Sequence, residues 1–210
     1  IGHGGAGYDG NVIDQSVGVS AVTGVFLLGG DADASTVQIG HGGANAQAAE
    51  LSGNLTVSAG NDVFVSAGSG RFSFAQIGNG GAQVSNSFGG DIEVTTTGGS
   101  VRITGNDPTQ GSYAKVGHGD DLRGSLSAIG GTGSRDGDIS ISATDDIRLL
   151  NALVGHVNDL ANSALTPVDP ASGTILTVSS DAQTDPAGGD FIVDPGSQVY
   201  GEEDLRVYLP

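Results

Sequence analysis

The sequence predicts an all-β protein, a parallel β-helix with about one coil of three short strands per 38-residue repeat. Three observations carry this. A short mark, Ile1-Gly2-His3-Gly4-Gly5, returns at Ile39–Gly43, Ile77-Gly78-Asn79-Gly80-Gly81, Val116-Gly117-His118-Gly119 and Val154-Gly155-His156, at intervals of 38, 38, 39 and 38 residues. Between marks lie paired segments that alternate apolar with polar residues, the period of a strand with one buried face. The composition, finally, suits a long narrow core and no wide one: 38 of the 210 residues are glycine, aromatics reach 5%, and Met, Trp and Cys are absent.

The elements follow in chain order. The first repeat offers Val17, Val19 and Ala21, then Val25 and Leu27, as inward positions. The second offers Asn54–Ala59 and Asp62–Ala67, with Leu55, Val57, Ala59, Val63, Val65 and Ala67 inward. Ile92, Val94, Val101 and Ile103 repeat the pattern in the third, and Ile139, Ile141, Ile147 and Leu149 in the fourth. The two strands of a pair start eight, eight, nine and eight residues apart, whereas the flanking segments trade length, as loops facing water do. Because these landmarks do not divide into two similar halves, one coil per repeat is preferred over two coils of 19 residues. Helical periodicity is confined to a short stretch, Asp159–Leu165.

Residues 1–160 therefore form the repeats, beginning near 1, 39, 77, 116 and 154, and 161–210 an irregular, β-rich last coil or cap. Pro167, Pro170, Pro186 and Pro195 interrupt this tail, since proline cannot donate to a central ladder. Strand-like pieces persist at Thr174–Ser179, Asp190–Val193 and Asp204–Leu209. A first residue other than Met is expected of a processed product or excised piece.

Charge narrows the choice of partners. Seven Lys and Arg against 24 Asp and Glu give −17, so there is no basic patch for nucleic acid or an anionic membrane surface. No apolar run reaches the roughly 18 residues of a membrane-spanning helix. A chain without cysteine has neither disulfides nor thiolate chemistry, which suits export through a bacterial envelope.

His3, His41, Asn79, His118 and His156 occupy one repeat position, so stacked coils would line them up as a ladder. A metal centre needs two or three imidazoles within about 2.1 Å of one ion. Asn replaces His poorly in that role and readily in a hydrogen-bonded stack, so a structural ladder is the expectation and no cofactor is called for. The adjoining glycines lack a following helix and the Lys-Ser/Thr of a phosphate cradle, and serve as turn devices. Acidic pairs at Asp31 and Asp33, Asp120 and Asp121, Asp136 and Asp138, and Asp145 and Asp146 leave room for adventitious calcium at a loop but define no ligand set. Asp62, Asp91, Asp138, Asp146 and Asp190 each precede a strand, as turn-capping residues do. The arginines Arg71, Arg102, Arg123, Arg135, Arg148 and Arg206 are dispersed, and no carboxylate pair joins a base or an electrophile, so no enzyme is expected.

The five marks, joined to segments such as Gly53-Asn54-Leu55-Thr56-Val57-Ser58-Ala59-Gly60-Asn61-Asp62-Val63 and Ala75-Gln76-Ile77-Gly78, resemble the repeat regions of filamentous-haemagglutinin-type bacterial exoproteins. The resemblance covers residues 1–160, with a looser echo at Gly201–Val207. It implies a right-handed β-helical shaft, two-partner-type export, and a place outside the cell or on the bacterial surface. The expected function is a stalk, shaft or filament segment of a large adhesin-like protein. The alternative is a β-helix module that binds or cleaves carbohydrate. Expected partners are neighbouring repeats of the same parent chain, end-to-end copies, or a host or cell-surface glycan or protein.

Overall fold

Each strand pair stacks in parallel on the pair one repeat later, and the stack is a β-solenoid. A computed structural model describes residues 1–119 except 6, 48, 49, 83, 85 and 86, then 135–156, 175–180, 191–194, 198–199 and 204–208. The expected helical stretch Asp159–Leu165 lies outside the described residues, as do Asp120, Asp121, Arg123 and Asp190.

The first coil holds β1 (Val17–Ala21), β2 (Val25–Leu28) and β3 (Val37–Ile39). The second holds β4 (Glu50–Ser52), β5 (Leu55–Ala59), β6 (Val63–Ser66) and β7 (Ala75–Ile77). The third holds β8 (Ser87–Gly89), β9 (Ile92–Thr96), β10 (Val101–Thr104) and β11 (Ala114–Val116), with a 3₁₀ turn at Pro108–Gln110 before the last. In the fourth are β12 (Arg135–Asp136), β13 (Ile139–Ala143), β14 (Ile147–Leu150) and β15 (Leu153–Val154). Then come β16 (Ile175–Ser180), β17 (Phe191–Val193), β18 (Gln198–Val199) and β19 (Asp204–Tyr208).

Four sheets run along the rod. The first is ordered β1-β5-β9-β13-β16-β19, the second β2-β6-β10-β14-β17, the third β3-β7-β11-β15-β18, and a short fourth β4-β8-β12. Leu55 pairs with Val17 one repeat earlier and Ile92 one repeat later, which settles one coil per repeat. Register survives a longer step in sequence, since Ile92 still pairs with Ile139, 47 residues on. The strand-like pieces of the tail coincide with β16, β17 and β19, which extend the long ladders although the spacing of the marks has ended.

The fourth sheet was not legible as a strand in the sequence. Glu50-Leu51-Ser52 and Ser87-Phe88-Gly89 are too short to show alternation. Their apolar side chains Leu51 and Phe88 build a separate cluster with Val12, Ala46 and Val84.

Parity places the main core as the alternation predicts. Leu55, Val57, Ala59, Val63 and Val65 are buried, as are Ile92, Val94, Val101, Ile103, Ile139, Ile141, Ile147 and Leu149; Ala67 is only partly buried. Stacked columns such as Val19, Val57, Val94 and Ile141 fill the tube with β-branched side chains suited to a pleated surface. Ile103 is fully buried between Val65 and Leu149, so Ile103→Ala should cost about 2–5 kcal/mol, and outward Thr104→Ala well under about 1. Chemical denaturation of the two variants checks this, and equal costs would contradict the assignment of faces.

Candidate functional site: the polar columns of the coil corner

The mark turns the chain at the end of the third sheet, where successive coils approach closely. A Cβ on Gly40 would overlap the Gly78 carbonyl oxygen, one on Gly78 that of Gly117, and one on Gly117 that of Gly155. The corner glycines thus permit main-chain contact between coils, and the residue after each projects into the gap.

The structure brings the five ladder residues into one column, joined by their backbones. The His3 N–H donates to His41 Nδ1 at 3.1 Å and the His41 N–H to Asn79 Oδ1 at 2.9 Å. The Asn79 N–H donates to His118 Nδ1 at 2.9 Å and the His118 N–H to His156 Nδ1 at 3.0 Å. An Nδ1 that accepts must be unprotonated, so the ring proton sits on Nε2. That nitrogen meets a carbonyl each time: His41 Nε2 lies 2.5 Å from the Gln15 oxygen, His118 Nε2 2.8 Å from Gly90, and His156 Nε2 3.0 Å from Gly137. Asn79 reproduces both bonds, accepting through Oδ1 and donating through Nδ2 to the Gly89 carbonyl at 2.9 Å and that of Gly53 at 3.3 Å. This is the physical reason Asn serves where His stands elsewhere.

His41, Asn79 and His118 are fully buried, His156 nearly so, and His3 is exposed at the first coil. The His118 and His156 rings stack with centroids 4.6 Å apart and planes 5° from parallel. Burial lowers the His41 pKa below the ordinary imidazole value, a neighbouring charge on His3 lowers it further, and the Gln15 carbonyl opposes both. As a chemical device the column joins coils: every imidazole nitrogen of His41 and His118 already faces a main-chain group.

A second column, invisible in the sequence, backs the third sheet. Gln38, Gln76 and Lys115 are register partners on the side opposite Ile39, Ile77 and Val116. Gln38 Nε2 donates to the Gly78 and Gly80 carbonyls of the next coil at 2.7 and 2.6 Å, and Gln76 Nε2 to those of Gly117 and Gly119 at 2.9 and 2.8 Å. Lys115, the chain's single lysine, is fully buried and donates to the His118 and Gly119 carbonyls at 2.5 and 3.2 Å. The Phe74 and Tyr113 rings, stacked 5.0 Å apart, help cover this column, and the Tyr113 hydroxyl lies 3.3 Å from Gln76 Oε1. No periodicity flags the column, because its members differ in type and each lies between two core residues. Lys115→Gln keeps a donor for these carbonyls, so it should be more stable than Lys115→Met by about 1 kcal/mol in thermal or denaturant melts.

The acidic residues act between coils more than within one turn. Asp62 Oδ1 accepts from the Ser100 N–H at 2.9 Å and Asp91 Oδ1 from the Asp138 N–H at 3.0 Å, while Asn54 does the same for Asp91 at 3.0 Å. Asp31 and Asp33 accept from Ser69 Oγ and the Arg71 N–H one coil later, at 2.8 and 3.0 Å. Among the described residues no group of three His, Asp or Glu converges as a metal site, and no helix is long and apolar enough to cross a membrane. The arginines are not all dispersed: Arg102 and Arg148 are register partners on the outer face of the second sheet, Arg102 exposed and Arg148 bonding Asp194 at 3.0 Å, while Arg71 lies over Phe72.

No protein-family model, curated protein or solved structure matches this chain.

Proposed function

We propose that this chain is a shaft segment of a large exported or cell-surface adhesin-like bacterial protein, with cohesion along the rod as its task. The observation that carries the reading is the engagement of the column residues: each of His41, Asn79 and His118 accepts a main-chain N–H from one repeat earlier, and its opposite polar end meets a main-chain carbonyl less than one turn away. Residue types that elsewhere bind metals or move protons here hold one coil to the next. The edge strands β1 and β2 present unpaired main chain at the first coil, where Val17, Val19 and Ala21 are only partly buried. Another coil of the same kind is the natural cover, supplied by the parent chain or by an end-to-end copy.

A glycan array, combined with degradation assays on acidic and neutral polysaccharides, tests the reading. The shaft predicts neither selective binding nor turnover. Selective glycan binding that a loop substitution removes, or any cleavage, would overturn it in favour of a carbohydrate-active module.

A further inference from the structure

The outer face of the second sheet carries two register rows. Phe26, Phe64, Arg102 and Arg148 form the first, one residue from each of β2, β6, β10 and β14, and its register continues to Ile192 on β17 at the far edge of the sheet. Leu28, Ser66, Thr104 and Leu150 form the second, two residues further along the strands. Both point away from the core: Phe26 is 63% exposed, Leu28 58% and Leu150 43%, and the Arg148 side chain is 51% exposed. The first sheet shows what a merely solvated face looks like here, with Thr56, Ser58, Glu93, Thr95, Ser140 and Ser142 outward. Aromatic, apolar and cationic side chains gathered on one face of a chain of charge −17 call for another explanation.

The rows are self-complementary. The first reads aromatic, aromatic, cation, cation, and the second reads apolar, hydroxyl, hydroxyl, apolar from either end. We propose that this face pairs with the same face of a second copy about a two-fold axis that runs parallel to the strands between β6 and β10, with the two rods antiparallel. Reversing one row over the other sets Phe26 against the second copy's Arg148 and Phe64 against its Arg102, each pair formed twice. Leu28 then meets Leu150, and Ser66 meets Thr104. Arginine over an aromatic face is a favourable cation–π contact, and an isologous contact of this kind closes on itself. The Arg148 Nε edge donates to Asp194 and leaves the flat guanidinium face for the ring. A two-fold along the rod axis would keep the rods parallel but exchange the rows, setting Arg102 on Thr104 and Arg148 on Leu150, so the cation–π pairs form only in the antiparallel arrangement.

Four strands span only about 14 Å, so the patch is smaller than the roughly 800 Å² per partner of a stable interface. The dimer is therefore weak and concentration-dependent. It also strengthens with salt, because screening relieves the repulsion between two acidic rods while leaving the short contacts intact.

Sedimentation equilibrium on the whole chain tests this. The unaltered protein should gain mass with concentration, more so at physiological than at low salt. The pair Phe26→Ala/Phe64→Ala and the pair Arg102→Ala/Arg148→Ala should each lower the association constant about tenfold or more, with unchanged melting temperatures. An equimolar mixture of the two should recover part of the association, because one copy supplies the rings and the other the guanidiniums for two of the four contacts. The absence of cysteine allows a check of direction: Leu28→Cys mixed with Leu150→Cys should form a disulfide dimer on oxidation, and either alone should not. A monomer at millimolar protein, a mixture that stays dissociated, or a disulfide between two Leu28→Cys copies would overturn the proposal and leave the shaft reading untouched.

Discussion

Gly117→Ala is expected to cost at least about 4 kcal/mol or to abolish folding. Gly117 has φ of 147°, a conformation that L side chains rarely adopt, and an added Cβ would overlap the Gly155 carbonyl oxygen and lie 3.1 Å from Lys115 Cε. Neither obstacle relaxes locally, because Gly155 belongs to the next coil and Lys115 is held by the His118 and Gly119 carbonyls. Moving the corner would part the coils and break the His118-to-His156 and Asn79-to-His118 bonds together. Gly18→Ala is the control. Gly18 sits within β1 with nothing near its missing Cβ, so alanine there should be neutral or stabilising by up to about 1 kcal/mol. Denaturant unfolding of both variants measures the contrast. Similar, small effects at the two positions would show that the corner is not closely packed.

The second expected result is a loss of stability on acidification that originates in the histidine column. His41 Nδ1 accepts a main-chain N–H, so a proton on that atom would set two donors against each other and place an imidazolium beside His3 in a buried gap. The direction follows from the lowered His41 pKa. Its contribution to stability is fully present above the unfolded value of about 6.5 and is lost as pH falls through the lower folded value. The loss amounts to about 1.4 kcal/mol for each unit by which the folded pKa is depressed. The acidic surface favours protonation and works against this effect, as does the Gln15 carbonyl; burial outweighs them at His41. His41→Asn should keep the fold, as Asn79 does in the next coil, and remove this residue's share of the acid loss. Thermal melts from pH 7.5 to 5 decide it. A variant with the same pH slope as the unaltered protein would refute the assignment, and a zinc-dependent rise in melting temperature lost in His118→Asn would point to a metal site instead.

What the sequence determined by itself was the winding and the inward face. The even spacing of the marks and the fixed step between paired strands define a coil, and period-2 alternation selects Leu55, Val57, Ile103 and their equivalents for the core, because each is a local property of the chain. Alignment of His3, His41, Asn79, His118 and His156 follows from periodicity alone. The bonds that give the column its chemistry do not. They join each of these residues to main chain far along the sequence, an N–H one repeat earlier and a carbonyl such as that of Gln15 or Gly90, whose proximity exists only once the chain has wound and stacked. The Gln38, Gln76 and Lys115 column was hidden for the same reason. A polar residue between two core residues reads as solvent-facing until the glycine corner and the Phe74 and Tyr113 rings close over it. The fourth sheet was equally silent, since three residues cannot display alternation and β4, β8 and β12 are strands only by virtue of one another. Local pattern dictates which way a side chain points; which main-chain group it meets is decided by the stacking of distant repeats.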